Sequence, residues 1–103
     1  MAIILEIAST NYEDDLFKIK RALSHLQTIC EIADGYLLSK PDSKAGWTFC
    51  RLILTPEFSL NIEKKFADMI QKYKGKNKDK FTDFMKDFFL ARECKLKLKL
   101  IEY

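Results

Sequence analysis

Hydrophobic and polar positions alternate most clearly between Trp47 and Thr55, a segment that reads W-T-F-C-R-L-I-L-T. Successive side chains of a β-strand point to opposite faces of the sheet. One face of this predicted strand carries core-sized side chains, namely Thr48, Cys50, Leu52 and Leu54. The other face carries two aromatic rings, a guanidinium and an aliphatic side chain, namely Trp47, Phe49, Arg51 and Ile53. Because a lone buried charge is costly, we expect the face with Arg51 to be at least partly open.

Three further segments have the composition or the alternation of strands. Ala2–Ala8 is rich in isoleucine, and Tyr36–Lys40 is a short apolar run before the loop-like residues Pro41–Gly46. The pattern predicts that this run and Trp47–Thr55 form an antiparallel hairpin. In the last segment, Cys94–Tyr103, leucines are expected to point inward and lysines outward, the lysines being Lys95, Lys97 and Lys99.

A helical spacing begins at Tyr12, where apolar residues recur every three or four positions as far as Ala33. Thr10 and Glu13 match a capping box at the start of this helix. Gly35 is expected to end it in the left-handed conformation.

Two more helices are predicted before the last strand. Thr55 followed by Pro56 is typical of a helix start, and the apolar face of this second helix runs to Tyr73. Asp79 is expected to cap a third helix, whose inward face is rich in phenylalanine. The residues between these helices, Lys74–Lys80, are expected to form a flexible basic loop that contains Lys74, Lys76, Lys78 and Lys80.

The resulting order of elements, β-α-β-β-α-α-β, predicts an α+β protein with a single domain over residues 1–103. A ferredoxin-like sandwich uses β-α-β-β-α-β, so we expect a two-layer, ferredoxin-like sandwich with one additional helix. Its four-stranded antiparallel sheet would carry the helices on one face and leave the other face free.

The free face is the main candidate site. The alternation predicts that it collects Trp47, Phe49, Arg51, Lys97, Lys99 and Tyr36. Tryptophan, tyrosine and arginine are enriched among the residues that contribute most to protein interfaces. The alternative is structural, with Trp47 and Phe49 covered by a helix or by the C-terminal segment.

Composition and charge add a second possibility. The net charge is +3, and residues 46–103 hold thirteen of the eighteen basic side chains. Basic residues interleaved with aromatic ones are typical of surfaces that bind single-stranded nucleic acid. The Trp47/Phe49/Arg51 face and the Lys74–Lys80 loop would then bind bases and phosphates, whereas the bland interpretation of the lysines is a solvated surface.

The sequence contains no pattern that indicates a cofactor, a metal or a catalytic set. The three cysteines form no C-x-x-C pair, and we expect buried free thiols, as in a reducing cytoplasm. The single histidine, His25, has no accompanying ligand spacing. No apolar run approaches the length of a membrane span.

These patterns together predict a small, non-catalytic cytoplasmic protein that binds another protein or itself through the sheet face. An inhibitor or immunity-type partner of an enzyme, or a subunit of a small assembly, fits this description. The alternatives are a nucleic-acid-binding module and a dimeric α+β barrel enzyme with an enclosed polar pocket.

Overall fold

The computed structural model describes residues 2–103, which form an antiparallel sheet of five strands and four helices. The strands are β1 (Ile3–Ser9), β2 (Tyr36–Leu38), β3 (Asp42–Lys44), β4 (Trp47–Leu54) and β5 (Lys97–Glu102). The helices are α1 (Tyr12–Cys30), α2 (Pro56–Lys65), α3 (Ala67–Gln71) and α4 (Asn77–Leu90). The α+β class is confirmed. The predicted order, β-α-β-β-α-α-β, is wrong in detail. The structure has one more strand and one more helix, in the order β-α-β-β-β-α-α-α-β.

The sheet has the order β2-β4-β1-β5, and β3 also pairs with β4. Both β1 and β2 run antiparallel to β4, which lies between them. β1 and β2 are therefore parallel to each other, and α1 connects them across an intervening strand. This is a split β-α-β connection.

The fifth strand arises because residues predicted to form a loop are paired at the edge of the sheet. β2 pairs with Leu52–Leu54 and β3 pairs with Trp47–Phe49, so the two are successive segments of one edge. Ser39 keeps the edge attached between them, since its N–H donates to the Arg51 carbonyl at 2.9 Å and its hydroxyl accepts from the Arg51 N–H at 2.7 Å. Pro41 has no N–H to donate and is tolerated at such an edge.

The turn between β3 and β4 has only two residues, Ala45 and Gly46, with φ values of 53° and 82°. Two consecutive positive φ values are typical of the tight turns that connect hairpin strands. The residues predicted as a six-residue loop, Pro41–Gly46, therefore contain the strand β3 and a two-residue turn into β4.

The starts and ends of the helices follow the sequence only in part. The start of α2 is confirmed, because the Thr55 hydroxyl accepts from the Phe58 N–H at 3.2 Å and Pro56 follows. The predicted capping box of α1 is wrong: its N-cap is Asn11, whose side-chain amide donates to Asp14 and whose side chain accepts no hydrogen bond from the helix backbone. The predicted left-handed cap at Gly35 is also wrong, since Glu31 takes that conformation with a φ of 56°.

The predicted second helix is divided at Phe66, where the backbone leaves the helical conformation (φ −113°, ψ 24°). The Phe66 ring lies 5.0 Å from the Phe84 ring of α4, measured between centroids. The third helix starts before the predicted Asp79 cap, with Lys76 at its N-cap position. Asn77–Lys80 thus form the first turn of α4 rather than a loop.

The core lies on one side of the sheet. The sheet contributes the alternate side chains of its two central strands, namely Ile3, Leu5, Ile7, Cys50, Leu52 and Leu54. The helices contribute a second set, which includes Ile19, Leu23, Leu26, Phe58, Ile62, Phe81, Phe84 and Phe89. The helices therefore cover this face, and the other face of the sheet carries the candidate site.

Candidate functional site

The face of the sheet opposite the helices is called here the open sheet face. Its members come from all five strands and are Leu37, Asp42, Lys44, Trp47, Phe49, Arg51, Ile53, Ile4, Glu6, Ala8, Lys97, Lys99 and Glu102. They form rows across the sheet, because paired residues of neighbouring strands lie side by side on one face.

The first row is apolar on β2, β4 and β1, and it ends at the exposed Glu102, which pairs with Ile4 on β5. Leu37 pairs with Ile53, and Ile53 pairs with Ile4 on the neighbouring central strand. Leu37 is 67% exposed, while Ile53 and Ile4 are partly covered. An exposed leucine is thus continuous with two further aliphatic side chains in the middle of the sheet.

The second row alternates in charge. Arg51 pairs with Glu6, and Glu6 pairs with Lys99, so a carboxylate lies between two cations on three adjacent strands. Arg51 and Lys99 are exposed and Glu6 is half-buried. Cross-strand opposite charges stabilise a sheet modestly. Arg51 and Lys99, at the exposed ends of the row, have further N–H donors that face solvent.

The third part of the open sheet face is aromatic and basic. Trp47 and Phe49 are half-buried, and Ala8 lies beside Phe49 on β1. Because Ala8 has only a methyl group, the side chain of Lys97 can extend over it. The Lys97 ammonium lies 5.0 Å from the centroid of the Trp47 ring, within the range of a cation–π interaction.

Trp47, Phe49, Arg51, Lys97 and Lys99 thus share one face, as the alternation predicts. Tyr36 does not join them. It pairs with Leu54 and packs against the core on the helix-covered side, where burial raises the pKa of its hydroxyl. Leu37, which the sequence pattern does not single out, occupies the open sheet face in place of Tyr36. The strong exposure of Leu37 follows from the pairing register of a three-residue strand, which no residue pattern specifies.

The basic segment occupies a different part of the molecule. Lys74 and Lys76 precede α4, and Lys78 and Lys80 lie in its first turn, within the helical layer. Lys80 is partly buried and donates to the Gln71 side chain at 3.0 Å. These lysines are therefore not part of the open sheet face, and of the four only Lys74, Lys76 and Lys78 are exposed.

The expectation of buried free thiols is confirmed for Cys30, Cys50 and Cys94. Burial raises the pKa of all three, and for Cys94 burial together with the nearby Asp15 carboxylate raises it to about 11. A thiol must lose its proton to become a nucleophile. These cysteines are therefore held in their unreactive form.

A pocket lined mainly by apolar residues, which the sequence analysis also missed, lies between the end of α1 and the helices α3 and α4. It has a volume of about 330 Å³, and Arg92 lies beside it. The signal for Arg92 was its position four residues after Phe88, which places both side chains on one side of a helical turn.

The fold and the open sheet face define a small α+β protein with an antiparallel sheet that the helices cover on one side. Comparison with protein-family models, with curated proteins and with solved structures finds no match for the chain. Within residues 2–103, no helix is long and apolar enough to cross a membrane. In the same residues, no group of three or more His, Cys, Asp or Glu side chains is placed to hold a metal ion.

Proposed function

We propose that this chain is a non-catalytic module that binds another protein through the open sheet face. The observation that carries the proposal is the apolar row Leu37–Ile53–Ile4, in which the outer leucine is 67% exposed. Burying a leucine side chain fully is worth about 1.5–3 kcal/mol. A partner that covers the exposed part of Leu37 gains a corresponding share of that energy.

The charged row next to it supplies specificity. Arg51 presents an exposed guanidinium, and a guanidinium binds a carboxylate of a partner with two parallel hydrogen bonds. Opposite charges across an interface fix its register and exclude wrong partners. Trp47 and Phe49 add aromatic surface on the other side of this row, so apolar contacts flank the charges.

The proposed architecture is a two-layer, ferredoxin-like sandwich in which β2 and β3 together act as one edge strand. Such a sandwich leaves a whole sheet face for a second molecule. A partner enzyme that is inhibited, a neighbouring subunit of a small assembly and a second copy of this chain are all compatible with a flat face of this kind. The buried thiols, whose pKa values are raised, argue against a cysteine nucleophile.

A specific observation also favours a second candidate, a single-stranded nucleic acid. Lys44 pairs with Trp47 and Lys97 lies over its ring, so two cations flank one aromatic side chain. Stacked bases and neutralised phosphates are what such a group binds. The basic segment Lys74–Lys80 would not assist, because it lies in the helical layer.

A position-specific cross-linking experiment tests the proposal. Leu37 is replaced by the photo-reactive amino acid p-benzoylphenylalanine, and the chain is irradiated both purified and in an extract of the cells that make it. Leu60 is the matched control position, since it is a leucine of similar exposure (51%) on α2 in the helical layer.

A discrete protein adduct from position 37 that is absent from position 60 supports the proposal. If the adduct also forms with purified protein and has twice the mass, the partner is a second copy of the chain. A nuclease-sensitive adduct identifies nucleic acid instead. Equal adducts from both positions, or none from position 37, overturn the assignment of the open sheet face as a binding surface.

A further inference from the structure

The pocket between the end of α1 and the helices α3 and α4 has a largely aromatic wall. Phe66, Phe84 and Phe88 line it, with ring centroids 5.0 Å apart for the first two and 6.1 Å apart for the last two. Met69 lies at its rim and is 52% exposed. The volume of about 330 Å³ is at the lower end of the range for small-molecule sites.

Arg92 provides a positive charge beside this apolar wall. Its guanidinium carbon lies 3.6 Å from the centroid of the Phe88 ring, and one guanidinium nitrogen donates to the Phe88 carbonyl at 3.1 Å. Among residues 2–103, that carbonyl is the one acceptor within hydrogen-bond distance of the guanidinium. A guanidinium has five N–H donors, so most of its donors remain available.

The environment of Arg92 disfavours its charge. The side chain is half-buried, and burial lowers the pKa of the guanidinium from its ordinary value. A buried charge is costly unless an opposite charge is paired with it. Because Arg92 is only half-buried, this cost is partial, and an anion that reaches the guanidinium reduces it further than the Phe88 contacts alone.

The acidic side chain that lines the pocket, Asp87, makes no hydrogen bond or ion pair with Arg92 among the described residues. The Asp87 carboxylate accepts a hydrogen bond from the Tyr73 hydroxyl at 2.5 Å. This bond occupies one oxygen of Asp87 at the rim. The negative charge of Asp87 disfavours an anionic group beside it. The carboxylate of a ligand in this pocket is therefore expected to lie at Arg92.

We propose that this pocket binds a small apolar molecule that carries one carboxylate, with the apolar part against the partly exposed Ile29 and Phe66 and the carboxylate on Arg92. The charge of Arg92 selects the acid over neutral analogues, and the limited volume selects a small molecule over a helix of a partner protein. This site is separate from the open sheet face, on the opposite side of the molecule.

The probe is 3-phenylpropionate, and its neutral amide, 3-phenylpropanamide, is the matched control ligand. Each is titrated into the ¹⁵N-labelled chain, and the backbone amide resonances are followed by NMR. We expect saturable shifts that cluster around Phe66, Phe88 and Arg92 with the acid. A hydrogen bond to a charged group is worth about tenfold in affinity, so the amide should bind about tenfold more weakly.

Single substitutions test whether Arg92 holds the carboxylate. Arg92→Gln should weaken the acid about tenfold while leaving the amide unchanged. Arg21→Gln is the matched control, because Arg21 also lies near an aromatic ring, 5.7 Å from Phe17, but on the exposed side of α1. If Arg92→Gln does not fold, Met69→Glu at the exposed rim provides the same test, since a new carboxylate there should repel the acid.

Equal binding of acid and amide overturns the proposal, as does undiminished binding of the acid by Arg92→Gln or Met69→Glu. The absence of saturable shifts at tens of millimolar acid also overturns it. Shifts that spread over surface lysines and respond equally to Arg21→Gln would show non-specific anion binding only, which contradicts the assigned site.

Discussion

Gly35 lies directly against Phe58: a Cβ atom on residue 35 would be 2.6 Å from two carbons of the phenylalanine ring. The glycine is also fixed by its backbone, since its N–H donates to the Gln27 side chain at 2.7 Å and its carbonyl accepts from the Thr55 N–H at 2.8 Å. Its φ is not in the left-handed region. Close packing between the start of β2 and the start of α2, rather than chain flexibility, explains the glycine.

Replacing Gly35 with alanine should therefore lower the free energy of unfolding by about 1–3 kcal/mol, the usual cost of overpacking a core. Phe58 is fully buried and cannot move away without disturbing α2. Urea unfolding followed by circular dichroism measures the change. The double variant Gly35→Ala/Phe58→Leu should lose less than the sum of the two single losses, because the steric conflict is shared. Simple additivity would show that the contact is not responsible.

The turn of the β3–β4 hairpin contains a conformation that alanine adopts at a cost. Ala45 has a φ of 53°, a region that asparagine and glycine visit more readily than alanine. Asn-Gly is the preferred pair for such a turn, so Ala45→Asn should raise the free energy of unfolding by about 0.5–1 kcal/mol. Ala33→Asn is the control, since Ala33 is exposed and lacks a positive φ. A gain of equal size at position 33 would argue against the turn as the cause.

The elements that the sequence predicts well are those in which several local signals agree. α1 has a long helical period, α2 has Thr55 and Pro56 at its start, and β4 has a clear alternation. The missed features depend on contacts that are distant in the sequence. The interruption at Phe66 accompanies its packing on Phe84, and β3 is held by pairing with β4 although its residues have little strand propensity.

In the candidate site too, the residues with a clear local pattern are predicted correctly, and those that depend on distant contacts are not. Period two alone places Trp47, Phe49 and Arg51 on one face, because β4 is long and its opposite face is buried. β2 has three residues, and a shift of one residue reverses which side chains face the helices. Tyr36 was therefore assigned to the wrong face and Leu37 was missed. Arg92 could not be paired with a pocket from sequence, since the pocket wall comes from three separate helical segments.

The tyrosine hydroxyls should lose their protons at a higher pH in the folded protein than in the unfolded chain. Burial, together with hydrogen bonds to Asp87 and Glu63, raises the pKa of Tyr73 and of Tyr103 to about 12. Because these folded-state values exceed the unfolded value of 10.0, the stability that they contribute is present below about pH 10 and is lost as the pH rises toward about 12.

Absorbance of the tyrosinate form, recorded with and without urea, checks this expectation. Burial also raises the pKa of Tyr12 and Tyr36, so the whole native titration should lie above the denatured one. Tyr73→Phe and Tyr103→Phe should each reduce the fall in stability at alkaline pH. Coincident native and denatured titrations would contradict the raised values.

The cysteines should react slowly with a thiol reagent at neutral pH. Cys94 is 1% exposed, and its pKa of about 11 lies above the ordinary 9.0, which lowers its thiolate fraction about a hundredfold. The added variant Ser24→Cys, at an exposed position on α1, is the positive control and should react at once. Urea should release all three native thiols together. Fast labelling of Cys30, Cys50 or Cys94 in the native protein would show that the core opens readily.

The variant Leu37→Glu should abolish partner binding without loss of stability. Leu37 is 67% exposed, so a charge there stays in water in the free protein and the free energy of unfolding should change by less than about 0.5 kcal/mol. In the complex, the same carboxylate would be buried against Ile53 without a partner, which is costly. Cross-linking from a photo-reactive residue at position 42, which is exposed and pairs with Phe49, measures the effect without removing Arg51. Leu60→Glu on α2 is the control and should leave the adduct unchanged. An adduct that survives Leu37→Glu would show that the apolar row is not the surface that the partner covers.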